Sequence, residues 1–322
     1  MLKKFFRDIT RNRQIYDLCT EISPVLKEYY FIFEENRLSK GKDQALIHRF
    51  DSDGIPINRT YIDVRDKDYV YFPISIGQVG LSVFHTLIKT ESDNDRKRFL
   101  KFCEWFCHNG QPNTELGMRW LTEVALPQYR NPEPWQSAFA QSRGISVLLR
   151  GYQLTSNAEY AEAAEKALLA FTFPVSKGGV TAFTEWGPFY EEYTASVPTL
   201  VLNGMIFSLF GLCDFCRVFP DHELAQRLYQ EGLDTLEKIL PHFDLNYWSR
   251  YNLCRAEWYP RIDPATVSYQ NLHVLQLRVL YELTGRAVFK SFADRFSDQV
   301  TSINAIRSFF VKYKALKKLN RI

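Results

Sequence analysis

Asn157-Ala158-Glu159-Tyr160-Ala161-Glu162-Ala163-Ala164-Glu165-Lys166-Ala167-Leu168-Leu169-Ala170-Phe171-Thr172 is the stretch on which the fold turns. Tyr160, Ala164, Leu168 and Phe171 recur at the spacing of one helical face, and Asn157 stands where a side-chain oxygen caps a helix start. Neither Gly nor Pro interrupts the run, so the spacing predicts a helix over 157–172. Comparable segments lie on both sides, at 77–90, 95–108, 135–154, 199–218, 221–239, 265–284 and 287–302, joined by short polar loops. Short extended pieces, Gly179 to Phe183 and Phe243 to Leu253, sit between them. The chain therefore reads as mainly α, a succession of antiparallel helix pairs without a repeat of fixed period.

The N-terminal part differs. Residues 1 to about 45 read as helical from Ile15, Leu18, Ile22 and Leu26 at three-to-four spacing. From Ala45 to Tyr71 the pattern alternates, and Asp51-Ser52-Asp53-Gly54 is a turn signal between two strand-like runs. Asp-x-Asp-Gly also begins like a calcium loop, but the downstream ligands are missing. The expected organisation is an N-terminal helical and β-hairpin segment over 1–75, a helical main domain over 76–303 and a basic tail over 304–322.

Hydrophobic residues are 46% and charged residues 24% of 322, a globular composition. A net charge of +3 gives no case for nucleic acid. The charge is placed unevenly: Arg307, Lys312, Lys314, Lys317, Lys318 and Arg321 follow Asn304 with no acid, and Lys3, Lys4, Arg7, Arg11 and Arg13 face Asp8 alone. A solvated, partly frayed tail is the plain reading; a polyanionic polysaccharide or an anionic membrane face is the sharper one. The face Ile306, Phe309, Phe310, Tyr313 and Leu316 keeps peripheral membrane contact open. No run approaches the roughly 20 apolar residues that span a bilayer. The N-terminus lacks the apolar core of a signal peptide, so a cytoplasmic location is expected. The six cysteines then read as reduced thiols. Cys213-Asp214-Phe215-Cys216 has redox or zinc spacing, but no second pair accompanies it, and neither metal nor organic cofactor is expected.

Chemistry concentrates between residues 190 and 277. Tyr190-Glu191-Glu192-Tyr193, Val201-Leu202-Asn203-Gly204, Tyr251-Asn252-Leu253 and Tyr269-Gln270-Asn271-Leu272-His273, running to Gln276-Leu277, follow one another there. They are preceded by Trp135-Gln136-Ser137-Ala138-Phe139-Ala140-Gln141. In this order and spacing the words resemble the C-terminal catalytic domain of the D-glucuronyl C5-epimerases, which turn glucuronate into iduronate within heparan-type polysaccharides. The similarity is strongest from Trp135 to Phe296. A fainter echo lies at Phe72-Pro73-Ile74-Ser75-Ile76-Gly77-Gln78-Val79-Gly80-Leu81-Ser82.

With the helix count, the resemblance implies an α/α toroid, an incomplete (α/α)6 barrel, with a small N-terminal β-hairpin region and its cleft where the loops gather. It places Glu192, Tyr193, Tyr251 and Tyr269 at the family's catalytic positions. Epimerising C5 means removing a proton from one face and delivering one to the other, with donors aimed at the carboxylate. Glu192 and Tyr269 are expected to be that pair, with Tyr193 and Tyr251 orienting the sugar, relaying protons or sharing the acid role. Burial should raise a Glu and a nearby Arg should lower a Tyr. Arg250, Arg255 and Arg261 are candidates for gripping carboxylates, and Trp135 for stacking a sugar ring. His273 shares a helix face with Tyr269 and Gln276. Asn203 is expected near the loop holding Glu192. Gln141, Arg143, Tyr190 and Gln78 complete the candidate binding set.

The departures also carry information. The animal β-sandwich has only about thirty residues available, Thr86 to Gly117, so the chain looks like a minimal helical version. Cys254 replaces the family's Arg, with Arg255 one position late. Gln270 replaces a His, and Arg143 stands where a small or neutral residue is usual. The expected partner is an anionic polysaccharide or oligosaccharide, and family members are commonly homodimers. A uronate lyase shares the first proton abstraction, and a saccharide-binding protein could keep such a cleft without the reaction. Fold alone does not choose among them.

Overall fold

The computed structural model describes residues 16–35, 38, 47–60, 64 and 69–322. Four helical hairpins make the body: α1 (Pro73–Thr90) with α2 (Asp93–His108), α3 (Ala138–Thr155) with α4 (Ala158–Leu168), α5 (Leu202–Val218) with α6 (Glu223–Ile239), and α7 (Val267–Thr284) with α8 (Ala287–Asp298). The first helix of each pair faces the axis. Every residue of α3 from Ala138 to Gly151 is buried, as is every residue of α5 from Leu202 to Cys216, which only an enclosed helix permits. Their partners α2, α4, α6 and α8 bury a single stripe and form an outer layer. Among inner helices α1 packs on α3, α3 on α5 and α5 on α7. This is an α/α toroid with four of the six hairpins of a closed barrel.

The expected Asn157 cap is present, its Oδ1 accepting from the Glu159 amide. Close approach of α3 and α5 depends on Gly211, whose Cβ would lie 2.3 Å from Ser142 Oγ. The hydroxyl of Ser142 donates to the Phe207 carbonyl and accepts from the Gly211 amide, so the contact is polar as well as tight.

The N-terminal expectation of a helix fails over residues 16–33. β1 (Asp17–Leu18) pairs antiparallel with β2 (Phe31–Ile32), and Ile22 is exposed. Tyr29, Tyr30 and Phe31 are consecutive and all buried; an extended chain sandwiched on both faces does this, whereas the expected amphipathic helix would turn some of them outward. The segment closes one end of the toroid. Tyr29 N donates to His85 Nε2, Leu26 N to Gln153 Oε1, Arg150 Nε to Lys27 O, and Arg217 Nε to Ser23 O. All four helical partners lie in the C-terminal halves of α1, α3 and α5. Residues 1–15, with Ile15 and the basic cluster, fall outside the described residues.

The hairpin forms as expected, β3 (Ile47–Phe50) against β4 (Pro56–Arg59), with β5 (Tyr69–Val70) added as a third strand. Asp51 Oδ1 accepts from the Asp53 and Ile55 amides, so Asp51-Ser52-Asp53-Gly54 is a turn whose acceptor faces its own backbone. Two further hairpins complete the strands of the described residues, β6 (Gln111–Asn113) with β7 (Gly117–Arg119) and β8 (Thr181–Thr184) with β9 (Gly187–Tyr190).

Instead of a frayed tail, residues after 301 form α9 (Ser302–Lys318). Its inner face is Ala305, Ser308 and Ala315, and Lys312 reaches Asp263 at 2.6 Å. Ile303, Ile306, Phe310 and Tyr313 face outward. Among the described residues no helix is long and apolar enough to cross a membrane.

Candidate active site

Four segments meet at the N-terminal ends of the inner helices, opposite the end closed by the hydrogen bonds of residues 23–29; Tyr16, at the start of that N-terminal segment, still lies near enough to act on Tyr269. β9 runs into Glu191 and Glu192, and the Ala138 amide at the start of α3 donates to Glu191 O. The Glu191 side chain is scaffolding. Its oxygens accept from the Thr199 amide at 2.9 Å, the Thr199 hydroxyl at 2.5 Å and the Leu200 amide at 3.1 Å, turning the chain back into α5. Burial raises the Glu191 pKa to about 7 against those donors.

Glu192 therefore lies over the first turn of α5. A Cβ on Gly204 would stand 2.5 Å from Glu192 Oε2, so only glycine leaves room there. Asn203 Nδ2 donates to that oxygen at 3.2 Å. The phenol of Tyr193 is hydrogen-bonded to Glu192 and to Tyr251, and Tyr251 to Tyr269. The rings of Tyr251 and Tyr269 are 5.1 Å apart, edge to face. One hydrogen-bonded chain thus joins Glu192, Tyr193, Tyr251 and Tyr269. Glu192 and Tyr193 are buried, while Tyr251 and Tyr269 are half-buried.

Burial raises the Glu192 carboxyl to about 7, opposed by bonds from Tyr193 and Asn203. Tyr251 and Tyr269 are pushed above the ordinary phenol value by burial and then by the Glu192 charge. The expectation that an arginine lowers a tyrosine is not met: no arginine is among the groups acting on either phenol. A carboxylate beside phenols opposes a second negative charge, so Glu192 is the member that ionises near neutrality while the tyrosines stay neutral.

The other candidates divide. Asn203 is in place, and its carbonyl accepts from Gln276 Nε2 at 3.0 Å, tying α7 to α5. His273 is buried one turn below Tyr269, with Nδ1 2.8 Å from Ser249 Oγ. Gln78 is half-buried in α1, and its side chain bonds to none of the cluster residues. Trp135 is 3% exposed; its indole N–H donates to Val124 O and its ring packs on Tyr193 at 5.5 Å, so it is a wall and offers no face to a sugar. Gln141 is spent on Trp120, Met118 and Ala167 backbone groups, holding β7 and α4 to α3. Tyr190 is buried and donates to Leu228 O. Arg250 donates to the Arg261 carbonyl at 3.0 Å, and Arg255 and Arg261 are exposed. These three arginines do not join the Glu192 cluster. Arg143 is wholly buried within aromatic rings.

Behind the cluster lies a second network that the sequence did not announce. Asn252 Nδ2 donates to Tyr129 and Tyr259, Tyr259 donates to Asp263, and Lys312 donates to Asp263. Lys312 Nζ also sits 5.0 Å from the Tyr251 ring centroid. Asn252 stood inside a quoted word, but Lys312, sixty residues away, was marked only as one charge of the basic tail. As to metals, Cys19, Glu21 and Glu28 are the one group among the described residues whose ligand atoms lie within 4.8 Å of one another, and they lie on the segment closing the opposite end. All six cysteines are free thiols.

The chain is thus an α/α toroid that gathers one carboxyl and three phenols, Glu192, Tyr193, Tyr251 and Tyr269, at the N-terminal ends of its inner helices. A family model described as "D-glucuronyl C5-epimerase C-terminus" matches residues 114–298, and the chain belongs to that family. It is 27% identical over 234 residues to the D-glucuronyl C5-epimerase of Caenorhabditis elegans, covering 69% of this chain and 38% of that one. It is 27% identical over 247 residues to an uncharacterized protein of Methanocaldococcus jannaschii, covering 71% and 78%. The chain thus spans well under half the length of the nematode enzyme. The cellobiose 2-epimerase of Spirochaeta thermophila shares the fold, with a TM-score of 0.52 at 11% identity over 91% of this chain and 65% of that one.

Proposed function

We propose that this protein is a carbohydrate epimerase that inverts C5 of a uronic acid, glucuronate to iduronate in type, within an anionic polysaccharide or oligosaccharide. Family membership and the nematode relative support the reaction class. The observation that carries the reading is the unbroken hydrogen-bonded chain from Glu192 to Tyr269.

Its proton inventory gives a cycle. An ionised carboxylate only accepts, so Tyr193 gives its one hydroxyl proton to Glu192, Tyr193 accepts from Tyr251, and Tyr251 from Tyr269. Glu192 takes the C5 proton, and the C–H electron pair moves into the carboxylate as an enolate. The neutral Glu192 now donates, and the three hydroxyls rotate to point the other way, aiming the Tyr269 proton outward. Tyr269 delivers that proton to C5 on the opposite face. Protons then shift along the relay from Glu192 to the Tyr269 oxygen, restoring ionised Glu192 and three neutral phenols. A base near neutrality suits this role.

Incubating the protein with uronate polymers in deuterium oxide tests the reading. Deuterium entering C5 of an intact chain is the expected result, with Glu192→Gln and Tyr269→Phe each cutting incorporation by at least about 100-fold, the scale of a positioned acid or base. An unsaturated uronate would mark a lyase instead. Absence of any change across uronate polymers, or near-normal rates in both variants, defeats the proposal.

A further inference from the structure

We propose that Lys312 is a positioning residue of the relay: paired with Asp263 and seated on the Tyr251 ring, it holds that phenol in line between Tyr193 and Tyr269. The inference rests on the epimerase reading and adds a group from α9, a helix that begins beyond residue 298, where the family match ends. Ala305, Ser308, Lys312, Ala315 and Leu319 fall on one stripe along α9. Ala305, Ser308 and Ala315 are buried, so Lys312 sits in the middle of the inward face. A surface helix ordinarily turns its lysines to water, and a lysine goes inward only with a partner. The Lys312 side chain is 12% exposed and that of Asp263 4%.

Asp263 joins that lysine to the site. Its Oδ1 accepts from Lys312 Nζ at 2.6 Å, its Oδ2 from the Tyr259 hydroxyl at 2.9 Å, and its main-chain carbonyl from the Tyr251 amide at 2.8 Å. Asn252, the next residue after Tyr251, donates to the Tyr259 oxygen at 2.7 Å and to the Tyr129 oxygen at 2.9 Å. The Tyr129 ring in turn packs on Tyr193, centroids 5.3 Å apart. Lys312 Nζ itself lies 5.0 Å from the centroid of the Tyr251 ring. Tyr251 is thus held at its amide, through its neighbour and at its ring. The same helix reaches the rest of the relay: Ala305 belongs to the apolar cluster on which Tyr269 packs, and Leu319 packs with Tyr251 on the cluster containing Tyr193.

Seating α9 does not require this ion pair. An apolar residue at 312 facing a neutral one at 263 would fill the stripe, since a buried pair does little more than offset its own desolvation. Lys318 also anchors α9 to the same loop, donating to the Tyr259 carbonyl at 2.8 Å. What Lys312 adds is its hold on Tyr251, the middle phenol, bonded to Tyr193 on one side and Tyr269 on the other. A proton passes only while each hydroxyl stays within hydrogen-bond reach of the next. A small rotation of the Tyr251 ring breaks two links at once, and a cation at the ring, fixed by Asp263, resists that rotation.

The test compares two lysines of one helix. Deuterium incorporation at C5 of a polymer of alternating glucuronate and N-acetylglucosamine is measured for wild type, Lys312→Met, Lys312→Arg and Lys318→Met. Lys312→Met should lose kcat by about 10- to 100-fold, the scale of a slightly misplaced group, while KM stays within about two-fold because no substrate contact is removed. Lys312→Arg keeps a cation that can pair with Asp263 and stack on the ring, so it should recover most of kcat. Lys318→Met should behave as wild type. If Lys312→Met fails to fold, Lys312→Met with Asp263→Asn leaves no lone charge and should show the same loss of kcat. A second readout needs no turnover: in protein carrying 3-fluorotyrosine, the fluorine-19 resonance that disappears in Tyr251→Phe should move in Lys312→Met and stay in Lys318→Met. Full kcat in folded Lys312→Met, equal losses in the two lysine variants, or an unmoved resonance overturns the proposal. Wild type that exchanges no deuterium on any uronate polymer removes the epimerase reading instead, and the resonance still decides whether Lys312 holds Tyr251.

Discussion

Asn203 donates its amide to the Glu192 carboxylate over 3.2 Å, from the same helical turn whose Gly204 makes space for that carboxylate. The bond favours ionised Glu192, so removing it raises a pKa already held at about 7 by burial. A hydrogen bond to a charged group contributes about 1.5–3 kcal/mol, or 1–2 pH units, with the long separation favouring the lower end. Asn203→Ala should move the acid limb of kcat/KM for C5 exchange upward by about one unit, with activity recovering in alkaline buffer. A limb that stays in place would detach Asn203 from the base.

Glu192 should also limit stability. Its ordinary value is 4.5, and the folded protein holds it at about 7. Between those values the folded state retains a proton that the unfolded chain has released, so stability falls as pH rises through that window. Above it the ionised buried group costs up to about 3 kcal/mol, at 1.36 kcal/mol per unit. Glu192→Gln should therefore be more stable than wild type at pH 8 and nearly equal at pH 4.5. Urea unfolding at the two pH values checks this, and an equal change at both would disprove it. The comparison of variant with wild type also removes the parallel contribution of Glu191.

The helices were legible in the sequence because an apolar period of 3.6 is a local property; eight of the nine long helices among the described residues fall where that period runs. Residues 16–33 were misread because Leu18, Ile22 and Leu26 share the period by coincidence, while the deciding fact, burial of consecutive Tyr29, Tyr30 and Phe31 on both faces, depends on partners far along the chain. At the site the quoted words contain every member of the chain from Glu192 to Tyr269. They contain Trp135, Gln141 and Tyr190 as well, which the fold turns into walls. A word fixes position along the chain, but which way a side chain faces is settled by packing. Lys312 was legible only as one charge of the basic tail, since its link to Asp263 and Tyr251 is made by a helix that the matched region does not include.

The buried Arg150–Asp214 pair ties the axis to the closing segment, because Arg150 also donates to Lys27 O and Glu28 O. Asp214→Asn would leave Arg150 charged and without its acid in the interior, at a cost of about 3–5 kcal/mol. The expected outcome is a lower urea midpoint and faster tryptic cleavage at Lys27. Replacing both partners, Arg150→Met with Asp214→Leu, should cost less than Asp214→Asn alone. A double variant less stable than the single one would show that the pair contributes more than its own desolvation.

Proton counting fixes the tautomer of His273. Gln270 Nε2 donates to Phe296 O, so Gln270 Oε1 is the atom facing Ser249, and it accepts from the Ser249 amide at 2.8 Å and its hydroxyl at 2.6 Å. Ser249 has one hydroxyl proton, already placed between two oxygens, so the contact at 2.8 Å to His273 requires Nδ1–H as donor. Nε2 is then a bare, buried lone pair. Burial lowers the ring's pKa to about 3, so the imidazole stays neutral across the working range. In nitrogen-15 spectra of histidine-labelled protein, this ring should show the Nδ1–H form without titration between pH 5 and 9. Ser249→Ala should admit the Nε2–H form while leaving the ring neutral. A ring that titrates near 6.5, or a tautomer indifferent to Ser249, would mean that the Ser249–Gln270 pair does not set the proton on His273.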